Sequence, residues 1–300
     1  MVKTEFAVIG GSYAGLSAAL QLARARREVL VVDAGLRRNR FVDEAGETSH
    51  GFLSRDGEAP GAIAAEARRQ LLRYPTVQWR DATAQDARRL DDGRFAFRVG
   101  EEGVEASRLV LAGGVTDELP AVEGLAERWG RSVFHCPYCH GYELDAGPIG
   151  IVAASPAAQH HALMLPDWGR PVLFLNGAYE PSADDLAAFA RRGTRVEATR
   201  IARIEGVADV VLVDGRRVCV NGLFTQPRTR PASPVADQLG CALGDGPMVS
   251  FIQVDAMQQT SVPNVFACGD AARAAGNVAL SVADGAMAGI AAHRSTMLAA

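Results

Sequence analysis

The stretch Phe6-Ala7-Val8-Ile9-Gly10-Gly11-Ser12-Tyr13-Ala14-Gly15 decides the fold of this 300-residue chain. The residues up to Gly10 form an apolar run that predicts a buried strand, and the pattern from Leu16 to Arg26 is helical. A second apolar run starts after Glu28 and ends on the acidic residue Asp33. Strand, glycine turn, helix and strand in this order predict a βαβ unit, and therefore an α/β protein.

The turn Gly10-x-Ser12-x-x-Gly15 has the spacing of a dinucleotide-binding turn, with Ser12 where the middle glycine usually stands. Gly10 permits the tight turn, Gly15 lets the helix pack close to the strand, and the first N–H groups of the helix can bind a pyrophosphate. Asp33, 18 residues after Gly15, stands where a carboxylate accepts hydrogen bonds from an adenosine ribose. The alternative is an ordinary βαβ turn without a ligand.

A second α/β pattern begins at Pro148 and repeats the architecture of the first, as strand, helix and strand. The apolar segment 265–270 then returns to the first sheet. We therefore predict two three-layer Rossmann-like domains, the second inserted into the first. The predicted boundaries are 1–117 and 241–300 for the first domain and 118–240 for the inserted domain.

The inserted segment carries the pair Cys136-Pro137-Tyr138-Cys139. Two cysteines at this spacing can form and open a small disulfide, and a helix N-terminus lowers the pKa of a thiol there. His140 is the favoured acid/base beside the pair, with His135 as the alternative, because imidazole titrates near neutrality. A zinc site would need two further ligands at matching spacing, and the sequence has no second CxxC. We predict a redox pair and no metal.

The remaining cysteines and the histidine pair are expected to be structural. Cys219, Cys241 and Cys268 stand in apolar surroundings and are predicted to be buried thiols. His160 and His161 are predicted to lie on a solvated helix face. This cysteine usage is typical of a cytosolic redox protein.

The closing segment 265–270 ends in Gly269 and Asp270. A strand that ends there places the Asp270 carboxylate at the carboxyl edge of the sheet, where it would accept a hydrogen bond from a ribityl hydroxyl or cap a turn. The helix that begins near Asn277 and Val278 would direct its positive end at a flavin pyrimidine.

The glycine turn, the CxxC in an inserted domain and the closing Gly269-Asp270 occur in the order seen in low-molecular-weight thioredoxin reductases, which the chain resembles. The resemblance implies FAD, two α/β domains and a homodimer. It also implies that Cys136 exchanges with the outside thiol and that Cys139 faces the flavin. The residues expected to contact the cofactor are Gly10, Ser12, Tyr13, Ala14, Gly15, Asp33, Gly113, Gly269, Asp270, Asn277 and Val278.

A finer resemblance comes from the stretch His135–Glu143. Thioredoxin reductases usually have an acid directly after the second cysteine, where this chain has His140. In this respect, and at Asn277 and 281–285, the chain is similar to the FAD-dependent dithiol oxidases of the gliotoxin and holomycin type. The resemblance does not fix the substrate.

The second α/β unit lacks the glycines of a nicotinamide-binding turn. Its turn reads Ala153-Ala154-Ser155-Pro156-Ala157-Ala158, in which each β-carbon keeps a pyrophosphate away and Pro156 lacks an N–H group. The next strand ends in Leu175-Asn176-Gly177-Ala178, without the basic cluster that usually binds a 2′-phosphate. The sequence therefore argues against NADPH, with a divergent but working site as the alternative.

These observations predict an enzyme that oxidises a small-molecule dithiol with O2 and releases H2O2. The alternatives are a disulfide reductase, which uses NADPH bound atypically or a donor such as ferredoxin, and a flavoprotein that senses redox state. The net charge of −4 argues against nucleic acid as a partner. The absence of a long apolar run and of a signal-like N-terminus predicts a cytoplasmic protein without a membrane span.

Overall fold

The structure is a computed structural model that describes residues 1–246 and 248–298. The strands are β1 (Val2–Ile9), β2 (Val29–Asp33), β3 (Val77–Asp81), β4 (Ala84–Arg89), β5 (Phe95–Val99), β6 (Glu102–Leu111), β7 (Val115–Glu118), β8 (Val133–Phe134), β9 (Pro148–Val152), β10 (Arg170–Phe174), β11 (Arg195–Glu197), β12 (Ile201–Glu205), β13 (Asp209–Leu212), β14 (Arg217–Val218), β15 (Gly222–Thr225), β16 (Arg228–Pro231), β17 (Leu243–Asp245), β18 (Ser250–Ile252) and β19 (Val265–Ala267).

The helices alternate with the strands from β1 to β3 and from β8 to β11, whereas β3–β8 and β11–β16 follow one another without an α-helix between them. They are α1 (Tyr13–Arg24), α2 (Arg40–Ala45), α3 (Pro60–Leu71), α4 (Pro137–His140), α5 (Ala158–Met164), α6 (Ala183–Arg192), α7 (Val235–Gln238) and α8 (Val278–Leu298). Across the described residues, no helix combines the length and the apolar character that crossing a bilayer requires.

The first sheet has seven strands in the order β3-β2-β1-β6-β5-β4, with β19 also paired to β6. Strands β3, β2, β1, β6 and β19 run parallel, and β4 and β5 join antiparallel. Successive residues of β1 enter different cores, Phe6 and Val8 on one face and Ala7 and Ile9 on the other. Both faces are therefore covered, as continuous apolar strands of a parallel sheet predict.

The second sheet is built in the same way. Its order is β11-β10-β9-β15-β8, and all of its pairs are parallel. Val152 and Phe174 pack on one face, and Ile151 and Leu173 on the other. The sequence-based fold class, an α/β protein with two Rossmann-like units, is confirmed.

Two chain crossings connect the sheets and pair with each other. Strand β7 leads out of the first sheet and pairs antiparallel with β16, from Val115 opposite Pro231 to Glu118 opposite Arg228. Beyond β16, Val235 and Cys241 pack into the core of the first sheet. We propose that the chain returns to the first domain near residue 228, and the boundary at residue 240 stays a prediction.

Helix α8 closes the first domain by packing on α1. The Ser17 hydroxyl of α1 donates to the Val282 carbonyl of α8 over 2.7 Å. Because β19 leads directly into the segment before α8, this packing holds residues 269–278 beside the glycine turn after β1. The elements that precede and follow the inserted domain therefore meet at one edge of the first sheet.

Candidate functional site

A cavity of about 300 Å³ lies at the carboxyl edge of the first sheet and extends to the CxxC segment of the inserted domain. This size is at the lower end of the range for small-molecule pockets. Two predicted site residues, Cys136 and Gly15, lie outside its lining. The predicted residues that do line it are Gly10, Ser12, Tyr13, Ala14, Asp33, Gly113, Cys139, His140, Gly269, Asp270, Asn277 and Val278.

The glycine turn is packed as tightly as its sequence implies. Gly10 has φ +108°, and a β-carbon there would overlap the backbone of Ala112. A β-carbon at Gly15 would overlap the carbonyl oxygen of Gly10. The N–H group of Gly11 donates to Asp33 Oδ1 over 3.1 Å, so the acid at the end of β2 holds the turn.

Helix α1 begins at this turn with its backbone donors available. Ser12 occupies the N-cap position, and within the described residues its side chain accepts no capping hydrogen bond and the first turn carries no acid. The next residue, Tyr13, is fixed because its hydroxyl donates to the Pro60 carbonyl and accepts from Asn39 Nδ2, both over 3.0 Å. Burial raises the pKa of Tyr13, so its hydroxyl remains protonated.

Arg38 joins the cavity to the chain crossing, a feature that the sequence interpretation missed. Its guanidinium donates to both oxygens of Asp117 on β7, over 2.6 and 3.0 Å, and lies 3.4 Å from Asp270 Oδ2. The Ser281 hydroxyl lies 3.5 Å from the other oxygen of Asp270. The pair Arg37-Arg38, soon after the acid that ends β2, was the available signal for a cation at this site.

Further along the chain from Asp270, Asn277 caps the helix that follows it. Its Oδ1 accepts from the Leu280 N–H over 2.9 Å, and its carbonyl accepts from the Ser281 N–H over 2.9 Å. This capping geometry fixes the start of α8 against the cavity.

These features fit FAD. The turn at Gly10 is a cradle that a β-carbon would fill, and it adjoins the uncapped start of α1, where a pyrophosphate binds favourably. Asp33 and Asp270 supply carboxylates for hydroxyl groups at two separate places in the same cavity, and Arg37 and Arg38 supply positive charge. Among the described residues, no cluster of three or more His, Cys, Asp or Glu side chains is arranged to hold a metal ion.

The pair Cys136 and Cys139 stands at the inserted-domain end of the cavity. Cys136 is the N-cap of the short helix α4, and its sulfur lies 2.7 Å from that of Cys139. The Cys139 thiol donates to Cys136, which lowers the pKa of Cys136 to about 7 with help from the N–H groups of Tyr138 and Cys139. The same hydrogen bond, together with burial, raises the pKa of Cys139. In the reduced pair, Cys136 therefore loses its proton before Cys139, which lies beside the cavity.

His140 lies directly against the cavity, stacked on Phe134 with ring centroids 4.3 Å apart and planes 11° apart. Burial lowers the pKa of His140 to about 4, with a further contribution from His50. Among the described residues, its buried Nδ1 has no hydrogen-bond partner. The ring is therefore neutral near pH 7 and has a nitrogen available for a proton.

His135, the alternative acid/base, lines the same cavity and has a ring centroid 5.9 Å from that of Trp129. Burial, the charge of Arg38 and the neighbouring histidines lower the pKa of His135 well below its usual value. The structure therefore brings both histidines to the cavity.

Two expectations about other residues were wrong. His161 is only 3% exposed, because α5 turns it inward against Phe224, whereas His160 is exposed as expected. Cys219 is exposed rather than buried, because it follows the last strand of a small antiparallel sheet. Cys241 and Cys268 are buried, as the sequence predicted.

The second turn has its own internal hydrogen bonds. The Ser155 hydroxyl accepts from the Ala157 N–H over 3.2 Å, and the Ser155 carbonyl accepts from the Ala158 N–H over 3.2 Å. A β-carbon at Gly177, just beyond β10, would lie 3.1 Å from Arg200 Nε. The sequence showed no basic residue directly after β10, but Arg200, from the segment after β11, places a cation near the end of this strand.

Comparisons with known proteins identify the family. Residues 4–288 match the model of the pyridine nucleotide-disulphide oxidoreductase family. Thioredoxin reductase tcpT of Claviceps purpurea is 33% identical, over 94% of this chain and 91% of its own. The solved structure of an oxidoreductase from Agrobacterium tumefaciens is 58% identical with a TM-score of 0.96, over 100% of both chains.

A second solved structure is also similar to this chain. The solved structure of HlmI is 34% identical with a TM-score of 0.90, over 98% of this chain and 93% of its own. The family resemblance predicted from the sequence is thereby confirmed. The chain belongs to the pyridine nucleotide-disulphide oxidoreductase family and is a thioredoxin reductase-like flavoprotein that binds FAD.

Proposed function

We propose that this protein is an FAD-dependent dithiol oxidase that forms a disulfide in a small-molecule dithiol and passes the electrons to O2. The observation that carries the proposal is that Cys139 and the neutral His140 line the same cavity as the glycine turn at Gly10. A sulfur and a base then adjoin the cofactor, and the turn at 153–158 offers no comparable glycine cradle to a nicotinamide cofactor.

The cysteine pair would act as a disulfide that opens and closes. A substrate thiolate attacks Cys136, and the Cys139 sulfur leaves as a thiolate. The second substrate thiol then displaces Cys136, which releases the cyclic disulfide and leaves the pair as a dithiol. Bound FAD would supply the two-electron acceptor for this dithiol and the reductant for O2, so that the overall reaction would be dithiol plus O2 to disulfide plus H2O2.

His140 would handle the protons of this exchange. Its burial keeps it neutral near pH 7, so it accepts a proton from a substrate thiol rather than donating one at the start. Phe134 holds the ring in place by stacking. Asp33, Asp270 and the start of α1 would hold the cofactor without entering the chemistry.

A disulfide reductase is the second candidate, and one observation favours it. Arg200 stands beside Gly177 at the end of β10, where a basic side chain would bind the 2′-phosphate of NADPH. In this case electrons would flow in the opposite direction, from NADPH or another donor to a disulfide.

Anaerobic mixing separates the two candidates. We expect small dithiols to bleach the flavin absorbance of the holoprotein and NADPH to leave it unchanged, and we expect air to restore the absorbance with one H2O2 formed per flavin. Bleaching by NADPH, together with slow reaction with O2, would establish the reductase instead.

Replacement of Cys139 tests the relay directly. Cys139→Ser should abolish peroxide formation while FAD remains bound, because the sulfur next to the cofactor cavity is lost. Cys219→Ser, which removes an exposed thiol of the same domain, is the matched control and should behave as wild type. Turnover that persists in Cys139→Ser would refute the relay.

We propose a cytoplasmic homodimer. Leu280, Met287 and Ile290 are each 40–42% exposed on one side of α8, an apolar strip that a second copy would cover. Light scattering on the purified protein should give twice the monomer mass, and Met287→Glu should shift it toward the monomer.

A further inference from the structure

Arg38 lies on the loop between β2 and α2, where its guanidinium contacts two carboxylates from distant parts of the chain. Asp117 comes from β7, the strand that leads to the inserted domain, and its side chain is only 8% exposed. Asp270 comes from the turn after β19, and its side chain is 23% exposed. Arg38 and Asp270 line the cavity, whereas Asp117 lies outside its lining. One guanidinium therefore connects a buried carboxylate to the wall of the cavity.

The two contacts of Arg38 differ in geometry. Its Nε and Nη2 donate to the two oxygens of Asp117, over 3.0 and 2.6 Å, in the bidentate arrangement that fixes a guanidinium most firmly. Its Nη1 donates to Asp270 Oδ2 over the longer distance of 3.4 Å. Asp117 therefore determines where the guanidinium lies, and the guanidinium faces Asp270 from a fixed position.

Asp270 has acceptor capacity left for a ligand. Its Oδ1 accepts from the Ser281 hydroxyl over 3.5 Å, so both of its side-chain hydrogen bonds within the described part of the chain are long. A β-carbon at Gly276 would lie 2.5 Å from the same Oδ1, so the glycine leaves the room that the carboxylate occupies. A carboxylate offers about four lone-pair sites. Asp270 can therefore accept from a cofactor hydroxyl without giving up Arg38.

A carboxylate in this position also needs a compensating charge. Burial of a charge without a partner is costly, and Asp270 is mostly buried. Among the described residues, Arg38 is the cation that pairs with it. When a ligand fills the cavity and excludes water, the attraction within this pair becomes stronger because the local dielectric constant falls.

We propose that Arg38 is a positioning residue for FAD that acts through Asp270. Fixed by Asp117, it holds the Asp270 carboxylate at the cavity wall and compensates its charge when the cofactor binds. The affinity for FAD then depends on Asp117, a residue outside the cavity. This inference rests on the assignment of Asp270 to the cofactor and not on the oxidase chemistry, so it applies equally to a reductase.

The test measures how tightly the protein holds FAD, by ultrafiltration of the diluted holoprotein and determination of the free flavin in the filtrate. We expect Arg38→Met to raise the dissociation constant of FAD about tenfold or more, the scale of one charge-assisted hydrogen bond. Arg38→Lys should recover part of the affinity, because it keeps the charge but loses the bidentate contact with Asp117. Asp117→Asn should raise the dissociation constant by a smaller factor.

A double-mutant cycle separates positioning from a merely structural role. Asp270→Asn should itself raise the dissociation constant of FAD. Arg38→Met should then add little in the Asp270→Asn background, because the carboxylate through which Arg38 acts is already lost. If Arg38→Met does not fold, Arg38→Lys completes the same cycle.

Arg94→Met is the matched control. Arg94 also pairs with two carboxylates, Asp92 over 2.7 Å and Glu105 over 2.6 Å, but it lies outside the cavity lining. This variant should hold FAD as tightly as the wild-type protein, whatever its effect on thermal unfolding.

Three results would overturn the proposal. They are a wild-type dissociation constant in Arg38→Met, an equal effect of Arg38→Met in the wild-type and Asp270→Asn backgrounds, and a wild-type constant in Asp270→Asn, which would remove the assignment of that residue to FAD. None of them alters the anaerobic reaction of the wild-type protein with dithiols, so failure of the proposed function is visible separately.

Discussion

The first and second α/β units share one architecture but differ at the turn after their first strand. In the first unit, Gly10 has φ +108° and the turn bends tightly enough for Gly15 to touch the carbonyl oxygen of Gly10. In the second unit, the turn at 153–158 contains alanines. The Ser155 hydroxyl accepts a hydrogen bond from the Ala157 N–H, a donor that a phosphate would otherwise use. Residues 153–158 also lie outside the lining of the cavity.

This difference shows that an α/β unit can keep its parallel sheet without keeping a turn that binds a dinucleotide. The second sheet keeps its order and its two buried faces because these need only apolar strands. Binding of a dinucleotide needs the glycines in addition, because backbone must approach phosphate. In our interpretation, the second unit has been retained for the cysteine pair that follows β8.

The largest expected effect is the loss of flavin from the first turn. Gly15→Val should yield a folded protein without FAD, because its side chain would occupy the position of the Gly10 carbonyl. Ala157→Val makes a similar change in the exposed part of the second turn and should leave the flavin content unchanged. The ratio of flavin to protein absorbance measures both. Wild-type flavin content in Gly15→Val would show that the two turns do not differ in this way.

The next effect compares two buried histidines of the inserted domain, one that lines the cavity and one that does not. Burial lowers the pKa of both His140 and His161 to about 4, but only His140 lines the cavity. His140→Ala should lower the rate of dithiol oxidation about 10²-fold. Because neutral imidazole is the active base, the wild-type rate should fall as the pH drops through about 4, and this acid limb should vanish in His140→Ala.

His161→Ala is the informative counterpart. It should retain the acid limb of the pH–rate profile, whatever its effect on stability. An acid limb that disappears only in the His161 variant would assign the proton chemistry to His161, outside the cavity lining.

A smaller effect distinguishes two thiols of the inserted domain. In the reduced protein, the rate of Cys136 alkylation should rise with pH with a midpoint at about 7, because thiolate is the reactive form and Cys139 donates to it. The hydrogen bond to Asp209 raises the pKa of Cys219, which should react at higher pH. Mass spectrometry of alkylated peptides follows both sites, and identical profiles would contradict the difference.

The smallest effect is expected from rebuilding the second turn. The double variant Ala154→Gly, Pro156→Gly regains the N–H group at position 156 and loses two side chains that obstruct the turn. We nevertheless expect NADPH to bleach its flavin absorbance no more than in the wild-type protein. The rest of the site, apart from Arg200, would still be missing. Rapid bleaching by NADPH in this variant would show that the glycines alone separate the two units.

The sequence predicted most of the cavity because its parts are local. A glycine turn, a strand-end acid and a cysteine pair each place their atoms through a few neighbouring dihedral angles. Arg38 and Arg200 were missed because each reaches its site from a loop, and only the folded chain shows what lies beside it. His161 was placed on the wrong face because α5 has only seven residues, too few for its periodicity to identify the buried side.

The antiparallel pairing of β7 with β16 has a consequence for protein engineering. It brings the entry and exit of the inserted domain side by side, since Glu118 stands opposite Arg228. A replacement domain whose own ends are one strand spacing apart could be ligated there without spacers. The inserted domain of a homologue could then replace this one as a unit, and the first domain with its flavin site would stay unchanged. Such chimaeras would test whether the inserted domain determines the preference for a thiol substrate.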